Sequence, residues 1–166
     1  VSNFTIHPAT KEAAIEVASN LRIEDRREIE EGWGVNPTSY LPELINYGDN
    51  IHFTVPNGRT AGLAGVINNE QIWMVTTPAI YEHPRSFARS AKQFINSRAE
   101  PLLWNIADKR NTVHLRLLKF LGFTFTSEIK HGPHNLTFIG FYRGSNFTSI
   151  TANAFQRSKY FSQRRA

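Results

Sequence analysis

The chain has 166 residues, 40% hydrophobic and 20% charged, a composition that fits one globular domain with a sizeable core. With no cysteine, a disulfide framework, a thiol nucleophile and a thiolate metal site are excluded. The formal charge of +5 is uneven: past Glu128 every charged residue is basic (Lys130, Arg143, Arg157, Lys159, Arg164, Arg165), so the body is near neutral and lacks the basic coat of a nucleic-acid-binding domain.

Phe4 to His7 reads as a short strand. Thr10 then caps a helix whose apolar face is Ala14, Val17, Ala18 and Leu21. The segment Arg22 to Gly34 has heavily mixed charge and ends in glycines, which predicts an exposed second helix. Asn36 and Pro37 open a third, with Tyr40, Leu41, Leu44 and Ile45 on one side.

From Ile51 the periodicity changes. Ile51 to Val55 turns at Asn57-Gly58 into Thr60 to Ile67, and Asn68-Asn69 turns again into Gln71 to Val75. After a proline-broken loop, Pro84 opens a helix with an apolar stripe of Phe87, Ala88, Ala91, Phe94 and Ile95. Leu102 to Ile106 is a short buried strand. Asn111 or Thr112 caps the next helix, which buries Val113, Leu117, Leu118 and Leu121 and stops at Gly122. Phe123 to Ser127 and Leu136 to Arg143 are strands around a turn at Lys130 to His134. Trp73 and Trp104 are expected to pack as a pair on adjacent strands. This order predicts an α/β (α+β) class: a mixed, mostly antiparallel sheet flanked by helices. Residues 1–143 form the domain and residues 144–166 a basic C-terminal tail.

No apolar run is long enough to cross a bilayer, and Val1 to Phe4 lacks a basic-then-apolar leader, so signal-peptide secretion is not expected. His131-Gly132-Pro133-His134 reads as a turn rather than a metal pair, since no third ligand follows at a recognised spacing; no metal site is expected.

The order of elements, with Asn111, Leu115, Leu117, Leu121, Gly122 and Phe123 in register, resembles the GNAT acyltransferase fold. The resemblance implies an acyl-CoA site at the start of the helix after the fourth strand, where a glycine-rich loop presents backbone N–H groups to the pyrophosphate. Here that stretch, Val75 to Ser90, has no glycine and two prolines. If acetyl-CoA binds, the residues implied are Val75, Thr76, Thr77, Arg85, Arg89 and Asn111. Val75 to Thr77 would pair with the pantetheine arm, given a splay between this strand and Leu102 to Ile106. Arg85, Arg89 and Lys92 would replace backbone donors at the pyrophosphate, although they read first as a solvated helix face. The resemblance also implies a tyrosine seven residues after the asparagine, as the acid for the leaving thiolate. Leu118 stands there, and His114 and Arg116 point elsewhere around the helix. Glu70, Glu82 and Asp108 are the candidate bases, with Asp108 or Glu82 first. No catalytic residue is assigned, and the reading leans away from an enzyme.

Trp73, Val75, Thr76, Leu103, Trp104, Asn105 and the run from Asn111 to Gly122 further resemble acetyltransferase-like internal virion proteins of short-tailed phages. That implies a virion assembly protein on a catalytically degenerate GNAT fold, located in the virion or host cytoplasm, without a cofactor. Its partners would be other virion proteins, met through Phe147, Phe155, Arg157, Lys159, Tyr160, Phe161, Arg164 and Arg165. The tail would also touch nucleic acid non-specifically through phosphates. The alternative is an active N-acetyltransferase using acetyl-CoA at an atypical site.

Overall fold

A computed structural model describes residues 4–144. Seven strands form one sheet in the order β1-β2-β3-β4-β5-β7-β6. These are β1 (Thr5–Pro8), β2 (Asp49–Thr54), β3 (Thr60–Ile67), β4 (Gln71–Thr76), β5 (Leu102–Asp108), β6 (Thr124–His131) and β7 (Leu136–Gly144). All neighbours are antiparallel except β4 and β5. The helices are α1 (Lys11–Ser19), α2 (Ile23–Arg27), α3 (Pro37–Leu44), α4 (Pro84–Ser97) and α5 (Thr112–Phe120). A π-helical segment, Glu28–Trp33, continues α2, and a 3-10 turn, Pro78–Glu82, precedes α4.

Local chemistry sets the helix starts. Thr10 Oγ1 accepts from Ala13 N–H at 3.1 Å, and Asn36 Oδ1 from Thr38 N–H at 2.8 Å. Asn111 Oδ1 accepts from His114 N–H at 3.4 Å, and Gly122, at φ 88°, takes the left-handed exit after α5. On one sheet face, Val17 of α1 and Leu41 of α3 pack with Leu63; on the other, Ile95 of α4 and Leu118 of α5 pack with Ile72, Phe123 and Phe141. Each such fully buried aliphatic side chain contributes about 1.5–3 kcal/mol. Among the described residues no helix is long and apolar enough to cross a membrane.

Four expectations need correction. The segment Arg22 to Gly34 is not an exposed helix: Arg22, Asp25 and Ile29 are buried. Its charge pattern resembles a solvated face because Arg22 and Asp25 neutralise each other inside the fold. In α5 His114 is buried while Val113 and Leu117 are only partly so, because the helix turns its polar N-terminal end toward a polar cluster. Trp73 packs with the α1–α3 cluster and Trp104 with Leu102 and Tyr142, since the two strands carrying them diverge. Finally, β6 runs on to His131, so the turn occupies only Gly132 to Asn135.

The π-helical segment is held by close backbone packing. Gly32 abuts Phe138, and Gly132, at φ 74°, lies against the Gly32 carbonyl, where no side chain fits. The Trp33 ring meets His131 edge-on at 4.4 Å, and His131 meets Phe138 at 4.8 Å. These contacts fix the helix that carries Asp25 and Glu28.

Candidate active site

β4 and β5 are parallel neighbours that share a single register pair, Gln71 with Trp104. Trp104 N–H donates to the Glu70 carbonyl at 2.9 Å, and Asn105 Nδ2 donates to the Ile72 carbonyl at 2.6 Å. Beyond that point the strands separate. A cavity of about 800 Å³ passes through the gap and reaches both sheet faces, from Phe94 and Leu117 on the α4–α5 side to Trp33 and Tyr40 on the α3 side.

Backbone direction follows from the ladder. Thr77 N–H donates to the Ala61 carbonyl on β3 and Thr76 N–H points the other way, to Asp25. In a strand these directions alternate, so Met74 N–H, two residues before Thr76, also points into the gap. The one β4–β5 register pair, Gln71 with Trp104, does not extend to it.

The wide end of the gap is closed by a buried polar cluster. Asp25 Oδ2 accepts from Thr76 N–H at 3.0 Å, Thr76 Oγ1–H at 2.8 Å and Arg22 Nε at 3.0 Å. Its Oδ1 accepts from Arg22 Nη2 and Asn111 Nδ2, both at 2.9 Å. Five donors leave this carboxylate no free capacity, so it serves as a structural anion. Burial, the largest single effect, would lower the Arg22 pKa, but Asp25 and the Tyr81 hydroxyl together outweigh it and hold the guanidinium above its ordinary value.

Glu28 is different. Its carboxyl lines the cavity, with Asn111 Nδ2 at 3.4 Å. Burial first, then the nearby Asp25 charge, push its pKa up to about 8. His114, one turn before Leu118 on α5, lines the same cavity, and burial holds its imidazole below the ordinary value. Asp25, Glu28 and His114 are the acidic and basic residues in this lining among the described residues; no lysine or arginine reaches it.

The residues singled out from the sequence fall as follows. Val75 lines the cavity, and Thr76 and Asn111 are in the polar cluster. Thr77 is buried and caps the 3-10 turn. Arg85 and Arg89 lie exposed on α4, and Lys92 sits over the Phe120 ring at 4.8 Å. Glu82 is exposed and paired with Arg59; Asp108 is buried and paired with Arg110 at 2.7 Å; neither lines the cavity. Leu118 lines the cavity within the apolar cluster of α5. The residues named for partner contact, Phe147 to Arg165, lie outside the described ones. Among the described residues, no group of three His, Asp or Glu side chains could hold a metal ion.

Sequence reasoning missed Arg22, Asp25, Glu28 and Met74, and it set His114 aside as pointing elsewhere around the helix, whereas His114 lines the cavity on the same face as Leu118. One signal was available: Arg22, Asp25 and Glu28 recur at intervals of three, which places them on one helix face.

No family model matches the chain, and no curated protein matches it in sequence. Solved structures do match in fold. Spermidine N-acetyltransferase from Vibrio cholerae, in complex with CoA and spermine, is 13% identical; the match covers 85% of this chain and 95% of that one, with a TM-score of 0.63. A GNAT-family acetyltransferase from Bacillus anthracis is 14% identical over 85% and 94% of the two chains, with a TM-score of 0.62. The ribosomal-protein-S5-alanine acetyltransferase from Vibrio fischeri is 13% identical over 88% and 97%, at 0.57. The chain has the GNAT acetyltransferase fold. None of these three is a virion protein, and the phage grouping gains no support from them.

Proposed function

We propose that this protein is an acyl-CoA-dependent N-acyltransferase. The observation that carries the reading is the parting of β4 and β5, with Met74 N–H directed into a cavity open to both sheet faces. A thioester arm entering from the α4–α5 side would meet that donor, and an amine entering from the α3 side would meet Glu28. The acyl-CoA supplies an activated carbonyl. As the amine nitrogen bonds to the carbonyl carbon and the C–S bond breaks, the nitrogen loses a proton and the thiolate sulfur gains one.

The chain's own residues suit the two ends of that step. Met74 N–H stands where it would polarise the carbonyl oxygen. Glu28, with a pKa of about 8, is matched to accept a proton from an ammonium near neutral pH, and the arriving cation itself favours the carboxylate form. Leu118 offers the sulfur no proton; His114, one turn earlier on the same face, is the titratable group nearest in sequence that lines the cavity. At the nucleotide end, α4 opens at Pro84 without a glycine loop. Arg85 and Arg89 are exposed there, and we assign phosphate contact to these side chains rather than to a backbone cradle.

The support for acyl transfer over an assembly role is that solved structures matching this chain in fold are acetyltransferases. Calorimetric titration with acetyl-CoA tests the proposal. Saturable micromolar binding is expected, weakened at least ten-fold in the Arg85→Ala/Arg89→Ala double variant. Turnover of an amine should fall about 100-fold in Glu28→Gln, within the range general-base loss costs, with acetyl-CoA affinity unchanged. No binding at millimolar acetyl-CoA would overturn it.

A further inference from the structure

The α3-side half of the cavity combines two features that together describe a ligand. The first is charge. Asp25 is saturated by five donors and balanced by Arg22, so it presents no net charge to a ligand. Among the described residues, Glu28 is then the one carboxyl in the lining with capacity to receive a cation, and no arginine or lysine opposes it there. The second is the wall beyond Glu28, which includes Trp33, Tyr40 and Trp73. The Trp73 indole N–H is already given to Asn50 Oδ1 at 3.1 Å, so that ring has only its apolar surface and π face to offer a ligand. A second ammonium deeper on the ligand would be desolvated among these rings with no lining carboxylate to meet it.

We infer that the acceptor bound here is a primary amine with a single cationic centre, carried on an aromatic or other apolar body. The ammonium sits at Glu28, and the body lies against Trp33, Tyr40 and Trp73, which add π-face attraction to the cation and apolar contact to the rest. The inference rests on the acyl-transfer reading for its role in the reaction, but binding of the amine is separable from that reaction. A polyamine fits the same site poorly, because its second and third charges find no counterpart in the lining among the described residues.

Equilibrium titration of the whole chain, read by tryptophan fluorescence and by calorimetry, tests this without any turnover. The probes are 2-phenylethylamine, its neutral isostere 2-phenylethanol, and spermidine, each with and without acetyl-CoA. Phenylethylamine is expected to bind saturably, at least ten-fold tighter than both other probes, and to lose that advantage over phenylethanol in Glu28→Gln. If Glu28→Gln fails to fold, the amine–alcohol comparison on the unaltered chain decides the charge requirement alone. Spermidine binding as tightly as phenylethylamine, or equal affinity for amine and alcohol, overturns the inference. Amine binding as expected beside no acetyl-CoA binding would remove the acyl-transfer proposal and leave this site assignment standing. Acetyl-CoA binding with spermidine preferred would do the reverse.

Discussion

Asp25 and Glu28 stand three residues apart on one continuous helix, yet only Asp25 holds a strand end. Asp25 accepts the Thr76 N–H at the end of β4, whereas Glu28 lines the cavity and meets Asn111 Nδ2 at 3.4 Å. Where the parallel ladder stops, one helix face supplies an acceptor that a continuous sheet would have supplied. The gap between the strands is therefore a supported opening, with Thr76 N–H paired at the wide end and Met74 N–H directed into it.

Removing Arg22 should be the costliest change in this cluster. Asp25 would remain buried without its counter-charge, and breaking such a pair costs about 3–5 kcal/mol. Chemical denaturation of Arg22→Ala should show a loss of that order. The Arg22→Ala/Asp25→Ala double variant should recover part of it, because no uncompensated charge is left; a double variant worse than the sum of its parts would contradict this account.

Glu28 makes stability depend on pH in a defined direction. Its pKa is raised from an ordinary 4.5 to about 8, so the folded chain holds this proton more tightly than the unfolded chain. The associated stability is full below about pH 4.5 and is lost as pH rises through about 8. Glu28→Gln removes the titration. Denaturation midpoints across pH 5–9 should fall less steeply for the variant, with the largest relative gain at the alkaline end.

His131 acts in the opposite direction. Burial against Trp33 and Phe138 lowers its pKa, and its Nε2 lacks a hydrogen-bond partner among the described residues. Its stabilising neutral form is present above the ordinary value of 6.5 and is lost as pH falls toward the lowered one. His131→Phe keeps a ring in the stack and has no charge to gain. Its acid-unfolding midpoint should lie at lower pH than that of the unaltered chain, and an unchanged midpoint would refute the assignment. His52 and His114, lowered by burial in the same sense, remain to limit the gain.

Gly132→Ala should lose about 2–4 kcal/mol, a large effect for one methyl group. The new Cβ would overlap the Gly32 carbonyl oxygen, and φ of 74° already disfavours it. Because Gly32 lies on the segment that begins at Glu28, amide exchange along residues 28–33 should rise in this variant before that of α1, as a readout of where the strain goes.

The fold was largely legible before any coordinates. Thr10, Asn36 and Asn111 announce helix starts, Asn57-Gly58 and Asn68-Asn69 announce turns, and Gly122 announces an exit; each acts through chemistry confined to a few neighbouring residues. The site was much less legible. Val75, Thr76 and Asn111 were named and do lie at the cavity or its polar rim. Glu28 was passed over because a half-buried carboxyl and a surface carboxyl look alike in a mixed-charge segment, and His114 was set aside as pointing elsewhere around its helix.

The sequence by itself determined which stretches are helix or strand, because those properties depend on local hydrogen bonding and apolar periodicity, and their order carried the resemblance to a GNAT sheet. Only the tertiary structure decided that β4 and β5 part, that Arg22 cancels Asp25, and that Glu28 is left to face the opening. Those outcomes depend on groups 51 and 86 residues apart in the chain, Asp25 with Thr76 and Asp25 with Asn111, meeting where water is excluded. Desolvation and pairing at that distance set which carboxyl is inert and which is available for chemistry.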